Sequence, residues 1–340
     1  MPESERRLIE GIRSQARTGK AGKALRIGIG DDAAVLRLPR NHELLVTTDF
    51  SIENVHFRRD WHSPDVVGWR CLTRGLSDIA AMGGAPVAAF LSLAVSADVP
   101  QGWVDRFLKG LFSLARKFGV PLAGGDTAEA VAGIQADIVV VGSVPKGTAI
   151  LRSGAKVGDR ILVTGKLGAS AAALTRLRDA LPLGLERERH FRPMARVAVG
   201  QWLREHKIAS AMIDISDGLS TDLGHICKES RVGAEIGAEA IPLARMGSGK
   251  ERVGLDYALH GGDEYELLFT SSKRVPAKIE GVAITCIGQI TWGKGMRIVD
   301  ECGKRQALGP KGWEHFRGSR GSDHVRASDF SDLPVTPANV

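Results

Sequence analysis

One small unit recurs along this 340-residue chain: a run of strand-forming residues closes on glycine or another small residue and then presents an aspartate. It occurs at Gly28-Ile29-Gly30-Asp31-Asp32, Thr47-Thr48-Asp49 and Gly124-Gly125-Asp126, then at Ile213-Asp214-Ile215-Ser216-Asp217-Gly218 and Gly261-Gly262-Asp263-Glu264. Taken singly, an aspartate beside glycine is more often a turn residue or a helix cap than a ligand. Repetition at successive strand ends points instead to one shared acidic site. Asp78 adds a carboxylate in the last turn of a predicted helix, where it opposes the macrodipole by roughly 0.3–1 kcal/mol. A bound cation would offset that.

Around these aspartates the chain alternates strand and helix patterns. Leu25–Ile29 and Glu43–Thr48 read as strands; Pro64 opens a helix with Leu72, Leu76 and Ile79 at helical spacing, stopped by Gly83-Gly84 and Pro86. Val87–Val95, Val120–Ala123 and Ile138–Val144 read as strands, with a helix over 103–118 between the first two. Dense punctuation at Pro145-Lys146-Gly147 suggests a domain boundary. Beyond it Arg160–Thr164, Ala211–Ile213, Tyr265–Thr270 and Ala283–Ile287 read as strands, with helices from Ala169 and around Leu219, Leu223 and Ile226. The Arg-rich stretch 186–192 reads as a helix surface or loop. After Gly318 little remains to bury, and a disordered tail is expected over 318–340. Mixed elements in both halves predict two α/β (α+β) domains.

Composition supports an ordinary globular chain, 43% apolar and 25% charged, long enough for two cores. The four cysteines are far apart and form no CxxC pair, which disfavours a zinc site or a disulfide framework. The start lacks the apolar stretch of a signal peptide, and the run 85–95 is far short of the roughly 18 residues of a membrane span; a cytoplasmic protein with no membrane partner is expected. A net charge of +7 suits anionic ligands of any kind. Acid-rich strand ends would repel a polyanion, so no nucleic-acid partner is expected.

Oxygen-only ligands are what Mg²⁺ prefers, and Mg²⁺ commonly joins a few carboxylates to substrate phosphates. Phosphoryl transfer asks mainly for positioning and charge neutralisation. A cluster of aspartates holding several Mg²⁺ ions meets that need, and neighbouring glycines admit close approach of the backbone to phosphates. No GxxxxGK[ST] loop, no GxGxxG after a strand and no Gly-x-Ser-x-Gly elbow competes with this reading.

The ordered motifs Gly28-Ile29-Gly30-Asp31-Asp32-Ala33-Ala34-Val35, Thr47-Thr48-Asp49-Phe50, Val55-His56-Phe57 and Leu76-Ser77-Asp78-Ile79-Ala80-Ala81-Met82-Gly83 carry a resemblance. So do Gly124-Gly125-Asp126-Thr127, Leu151-Arg152-Ser153-Gly154-Ala155-Lys156, Ile213-Asp214-Ile215-Ser216-Asp217-Gly218-Leu219 and Tyr265-Glu266-Leu267. Together they resemble the thiamine-monophosphate kinase family, within the superfamily of aminoimidazole ribonucleotide synthetase. The resemblance implies that superfamily's two-domain fold, each domain a mixed sheet covered by helices: residues 1–147 for metal, ATP and dimerisation, and 148–317 for the second α/β domain. It further implies a homodimer that transfers the γ-phosphoryl group of ATP directly, in line, to thiamine monophosphate, without a phosphoenzyme.

Carried over by position, Asp32, Thr47, Thr48, Asp49, Asp78, Asp126, Asp214 and Asp217 would hold magnesium. Gly125, Asp126, Arg152 and Ser216 would contact ATP, and His56, Asp263 and Trp313 would meet thiamine monophosphate. No protein residue is required as a general base, because a phosphate acceptor is already ionised. Two departures stand out: Asp263-Glu264 reverses the family's usual Glu-Asp order, and Gly75 stands where Asn is usual.

Overall fold

The structure, a computed structural model, describes residues 5–18 and 24–314; the expected tail over 318–340 lies outside the described residues. In the N-terminal half a four-stranded sheet runs in the order His42–Ile52, Ile134–Pro145, Ala85–Ser96, Leu122–Ala130. The first two pairings are antiparallel and the last is parallel. A parallel pair needs a crossover, and the helix Gln101–Phe118 supplies it. That helix ends at Gly119, whose φ of 66° is a left-handed cap that a side chain would strain.

Helix Gln101–Phe118 lies against helix Pro64–Ala81 with backbones in contact. A Cβ at Gly68 would fall 1.9 Å from the Phe107 carbonyl oxygen, and one at Gly110 would fall 1.9 Å from that of Asp65. Gly110→Ala is therefore expected to push the helices apart and cost about 1–3 kcal/mol by overpacking. Thermal unfolding reads this, and an unchanged midpoint would refute the close crossing.

In the C-terminal half a larger mixed sheet has the order Arg305–Leu308, Met296–Val299, Gly233–Gly237, Val282–Thr291, Arg160–Thr164, Leu267–Ser271, Ala211–Asp214. Strand Arg160–Thr164 is buried on both faces, as its continuous apolar run requires. Ile161 and Val163 point into a core shared with Leu223 and Ile226 of helix Leu219–Ser230. Leu162 points the other way, into a core shared with Leu72, Leu76 and Ile79 of helix Pro64–Ala81. That second core also takes in Met212, Leu267 and Phe269, so the Pro64–Ala81 helix is sandwiched between the two sheets. Both halves are thus mixed sheets covered by helices, and among the described residues no helix is long and apolar enough to cross a membrane.

Several expectations change in detail. The strand through Asp49 continues to Ile52, and the one from Leu122 continues to Ala130, so Asp49 and Asp126 lie inside strands and not after them. The stretch 186–192 contains a helix, Glu186–Phe191, with Glu186 and His190 buried. Helix Val197–Glu205 and the strands beyond residue 290 lack strong local signals, because they are short and take their order from the sheet they join.

Candidate active site

Alternation along strand His42–Ile52 sorts its side chains between two faces. Leu45, Thr47, Asp49 and Ser51 face helix Pro64–Ala81, while Leu44, Val46, Thr48 and Phe50 face away. The Thr47 hydroxyl donates to Asp78 Oδ2, and Asp49 is hydrogen-bonded to Asp78. Ser77, next on the same helix, donates to Asp214 Oδ2 at 2.6 Å. Three carboxylates from three elements meet here, at the junction of the two halves.

Their electrostatics follow from that crowding. Burial, then the charge of Asp78, pushes Asp49 up to about 7 against the opposing pull of Arg74. Asp214 is likewise raised to about 7 by burial and by Asp78, with Ser77 and Arg152 pulling the other way. Asp78 is raised by burial, opposed by Thr47 and Arg152. Carboxylates arranged so must share protons or a cation.

A second acidic group adjoins the first. Asp222 Oδ2 accepts from the backbone N–H groups of Ser216, Asp217 and Gly218 at 3.2, 3.2 and 3.0 Å, fixing the loop before helix Leu219–Ser230. Burial and the charges of Asp214 and Asp217 hold Asp222 well above the usual carboxylate range. Asp217, Asp222 and His225 bring ligand atoms within 4.8 Å of one another. The backbone N–H of Trp313 donates to the Asp217 carbonyl at 3.1 Å, which ties Trp313 to this loop.

The remaining candidate positions are spread around this centre. Arg152 is exposed, with its charge acting on Asp78, Asp214 and His225. Asp32 and Asp126 are exposed and are not hydrogen-bonded to the Asp49–Asp78–Asp214 group; Asp126 accepts from the Thr127 N–H at 2.9 Å. Gly125, with φ 150°, lies where a Cβ would fall 1.8 Å from the Leu91 carbonyl oxygen. Thr48 points to the opposite face of its strand and donates to Asp137 at 2.6 Å.

Close to Asp49, the residues Ser51, His56, Phe57, Val67, Arg70 and Arg74 line a narrow hollow too tight to admit a water molecule. His56 Nδ1 accepts from the Ile52 N–H at 3.1 Å, which helps fix the ring. Asp263 adjoins Arg70 and Arg74: its Oδ2 accepts from Arg70 at 2.7 Å, its Oδ1 from Arg74 at 3.1 Å and from the Tyr265 hydroxyl at 2.5 Å. Burial alone would raise the Asp263 carboxyl, but Arg70 and then Arg74 outweigh it and hold it well below the usual range.

Asp263 and Tyr265 both have positive φ, 59° and 53°, a strained stretch held by hydrogen bonds from their N–H groups to Ser216 and Ile215. Glu264 turns away into the C-terminal half, accepting from the Gly168 and Ser170 N–H groups at 3.0 Å, and burial pushes it up to about 8. The two acids of the reversed pair thus serve different neighbours.

Sequence reasoning overlooked Arg70, Arg74 and Asp222. A signal for the first two existed: Arg70, Arg74 and Asp78 recur every four residues and so share a helix face. Asp222 stands one helical turn after Gly218, close enough to cap the preceding loop.

Two mixed sheets meeting over a shared cluster of carboxylates define a class. Residues 30–144 match the family model of the AIR synthase related protein N-terminal domain, and residues 156–300 that of its C-terminal domain. Within that class, the chain is 39% identical over 305 residues to the thiamine-monophosphate kinase of Salmonella typhimurium, covering 85% of this chain and 91% of the relative. The Bacillus subtilis enzyme of the same name is 33% identical over 306 residues, 86% and 94% of the two chains. A crystal structure of thiamine-monophosphate kinase from Stenotrophomonas maltophilia superposes with a TM-score of 0.76 at 34% identity, covering 88% and 97%. The structure of AaThiL complexed with AMPPCP and TMP gives a TM-score of 0.72 at 32% identity, covering 92% and 97%. The chain belongs to the thiamine-monophosphate kinase family.

Proposed function

We propose that this protein phosphorylates thiamine monophosphate to the diphosphate with ATP, by direct in-line transfer assisted by several Mg²⁺ ions. The observation that carries this reading is the Thr47–Asp49–Asp78–Asp214 group, in which carboxylates far apart in sequence are crowded together, Asp214 buried and Asp49 and Asp78 half-buried. Its donors are oxygens only, and its mutual repulsion is what a hard cation relieves, so the residues fit magnesium. In this reading Thr47, Asp49, Asp78, Asp214 and Asp217 hold the ions and Asp32 and Asp126 contribute further oxygens, while Thr48 would have to serve from the opposite face of its strand, where it now donates to Asp137. Bound magnesium would screen the charges on both phosphate groups.

The protein's own groups do the rest. Gly125, Asp126, Arg152 and Ser216 hold ATP, with Arg152 offering its planar fork to phosphate oxygens. His56 and Asp263 bound the acceptor's site, and Trp313 offers an aromatic face to the cationic thiazolium ring. Ser51 and Phe57, buried in the same hollow, help exclude water from the transfer. A cytoplasmic location and a division of the chain near residue 147 belong to the same reading, the latter supported by sheets that lie wholly before and after that point.

A homodimer is part of it too. Leu44, Val46 and Phe50 form an apolar row, 51%, 62% and 57% exposed, on the sheet face turned away from the helices, and such a row favours a second copy. Phe50→Glu is expected to halve the mass seen by sedimentation; a wild-type monomer would sink the dimer.

The deciding experiment incubates the protein with ATP, Mg²⁺ and thiamine monophosphate and follows thiamine diphosphate, with an EDTA control. Metal-dependent product supports the reading. A folded, ATP-binding protein that forms none would overturn the substrate.

A further inference from the structure

We infer that Arg74 is the residue that grips the acceptor's phosphate, and that Asp263 acts through it as a positioning residue; this rests on the kinase reading above. Arg74 stands one helical turn before Asp78, about 6 Å along the same face, so it borders the carboxylate cluster on one side. On the other it lines the hollow with Ser51, His56, Phe57, Val67 and Arg70. Its side chain is 12% exposed, one Nη donates to Asp263 Oδ1 at 3.1 Å, and its Nε–H is buried with no hydrogen-bond partner.

A guanidinium N–H buried without an acceptor keeps its full desolvation cost. Nearby acids leave it unmet: Asp49 bonds to Asp78, and both oxygens of Asp263 are already engaged by Arg70, Arg74 and the Tyr265 hydroxyl. Asp263 therefore has little acceptor capacity left to meet a ligand itself, and a carboxylate would in any case repel a phosphate. Two arginines against one carboxylate leave the Arg70–Asp263–Arg74 group with a net positive charge. An anion is the chemistry that satisfies both the charge and the open donor. Arg74 Nε has virtually no accessible surface and the hollow is too narrow for water, so its walls must part to admit a phosphate monoester, which would then lie next to the cluster proposed to hold the γ-phosphoryl donor.

The test is calorimetry in the absence of ATP, with thiamine monophosphate, thiamine and inorganic phosphate as separate probes. Wild type is expected to bind thiamine monophosphate more tightly than thiamine. Arg74→Met should weaken the phosphorylated ligand by about tenfold to a hundredfold, the range for one charge-assisted contact, and leave thiamine binding unchanged, which also shows that the variant folds. Arg74→Lys should restore part of the preference, and Asp263→Asn should reduce it by releasing the guanidinium. An undiminished preference in Arg74→Met overturns the inference, as does equal weakening of both thiamine ligands. If wild type binds inorganic phosphate but neither thiamine compound, and Arg74→Met loses the phosphate, the substrate reading fails while Arg74 stands. Binding of none of the three probes by wild type removes both.

Discussion

Asp49→Asn is expected to lower phosphoryl transfer by on the order of 10²–10³-fold or more, the range for removing one preorganised electrostatic contact. The substitution keeps the side-chain shape and removes a charge from the centre of the carboxylate cluster. It should also change stability, in a direction set by the raised acids. Asp49 and Asp214 sit at about 7 in the folded protein against the ordinary aspartate value of 3.8. Between those values the folded state binds more protons than the unfolded one, so stability falls as pH rises through the window and is greatest below it.

In EDTA at pH 8, Asp49→Asn should therefore melt at a higher temperature than wild type, with the gap closing as the pH falls towards 4. Magnesium should raise the wild-type midpoint more than the variant's. Kinetics and thermal melts against pH read all of this. Near-normal turnover would remove Asp49 from the site, and parallel melting curves would mean that the carboxylates do not strain the fold.

Arg70→Ala should be among the most destabilising single changes in the chain. Arg70 is 3% exposed; its guanidinium donates to the His190 carbonyl and, at 2.7 Å, to Asp263. Truncation strips Asp263 of its strongest cation and leaves a buried carbonyl without its donor. A fully buried pair broken in this way costs about 3–5 kcal/mol; with the Asp263 side chain 29% exposed, the expected loss is at the lower end of that range or below it. The truncation would also loosen the contact between helix Pro64–Ala81 and the Glu186–Phe191 helix, because Arg70 joins them directly. A urea titration measures the shift. Arg305→Ala, which breaks the exposed Arg305–Glu235 pair, is the control expected to leave the midpoint in place. An equally small effect for Arg70→Ala would mean that the buried clasp contributes nothing net.

Much of the site was readable from residues in order. The Pro64–Ala81 helix declared itself through Pro64, through Leu72, Leu76 and Ile79 at helical spacing, and through Gly83-Gly84 beyond its end. Strand Arg160–Thr164 has the bounds expected from its apolar run. Those patterns are local, because a period of 3.6 or of 2 is a property of neighbouring residues. The aspartates, too, were marked by the repeated glycine–acid unit.

What could not be read was which aspartates meet. Thr47 and Thr48 are adjacent in sequence, yet strand alternation sends one to Asp78 and the other to Asp137 on the opposite face. Ser77 and Asp214 are 137 residues apart and touch only because the Pro64–Ala81 helix is buried between two sheets. Asp263 looked like a ligand for substrate, and its neighbours Arg70 and Arg74 come from 193 and 189 residues away.

Local sequence thus determined the longer elements, the family and the supply of oxygen ligands. The tertiary structure decided which carboxylates share a charge problem and which are neutralised by arginine. The physical reason is that periodicity acts between near neighbours, whereas burial and Coulomb forces act on whatever packing brings together, and strand order and helix crossing set that packing.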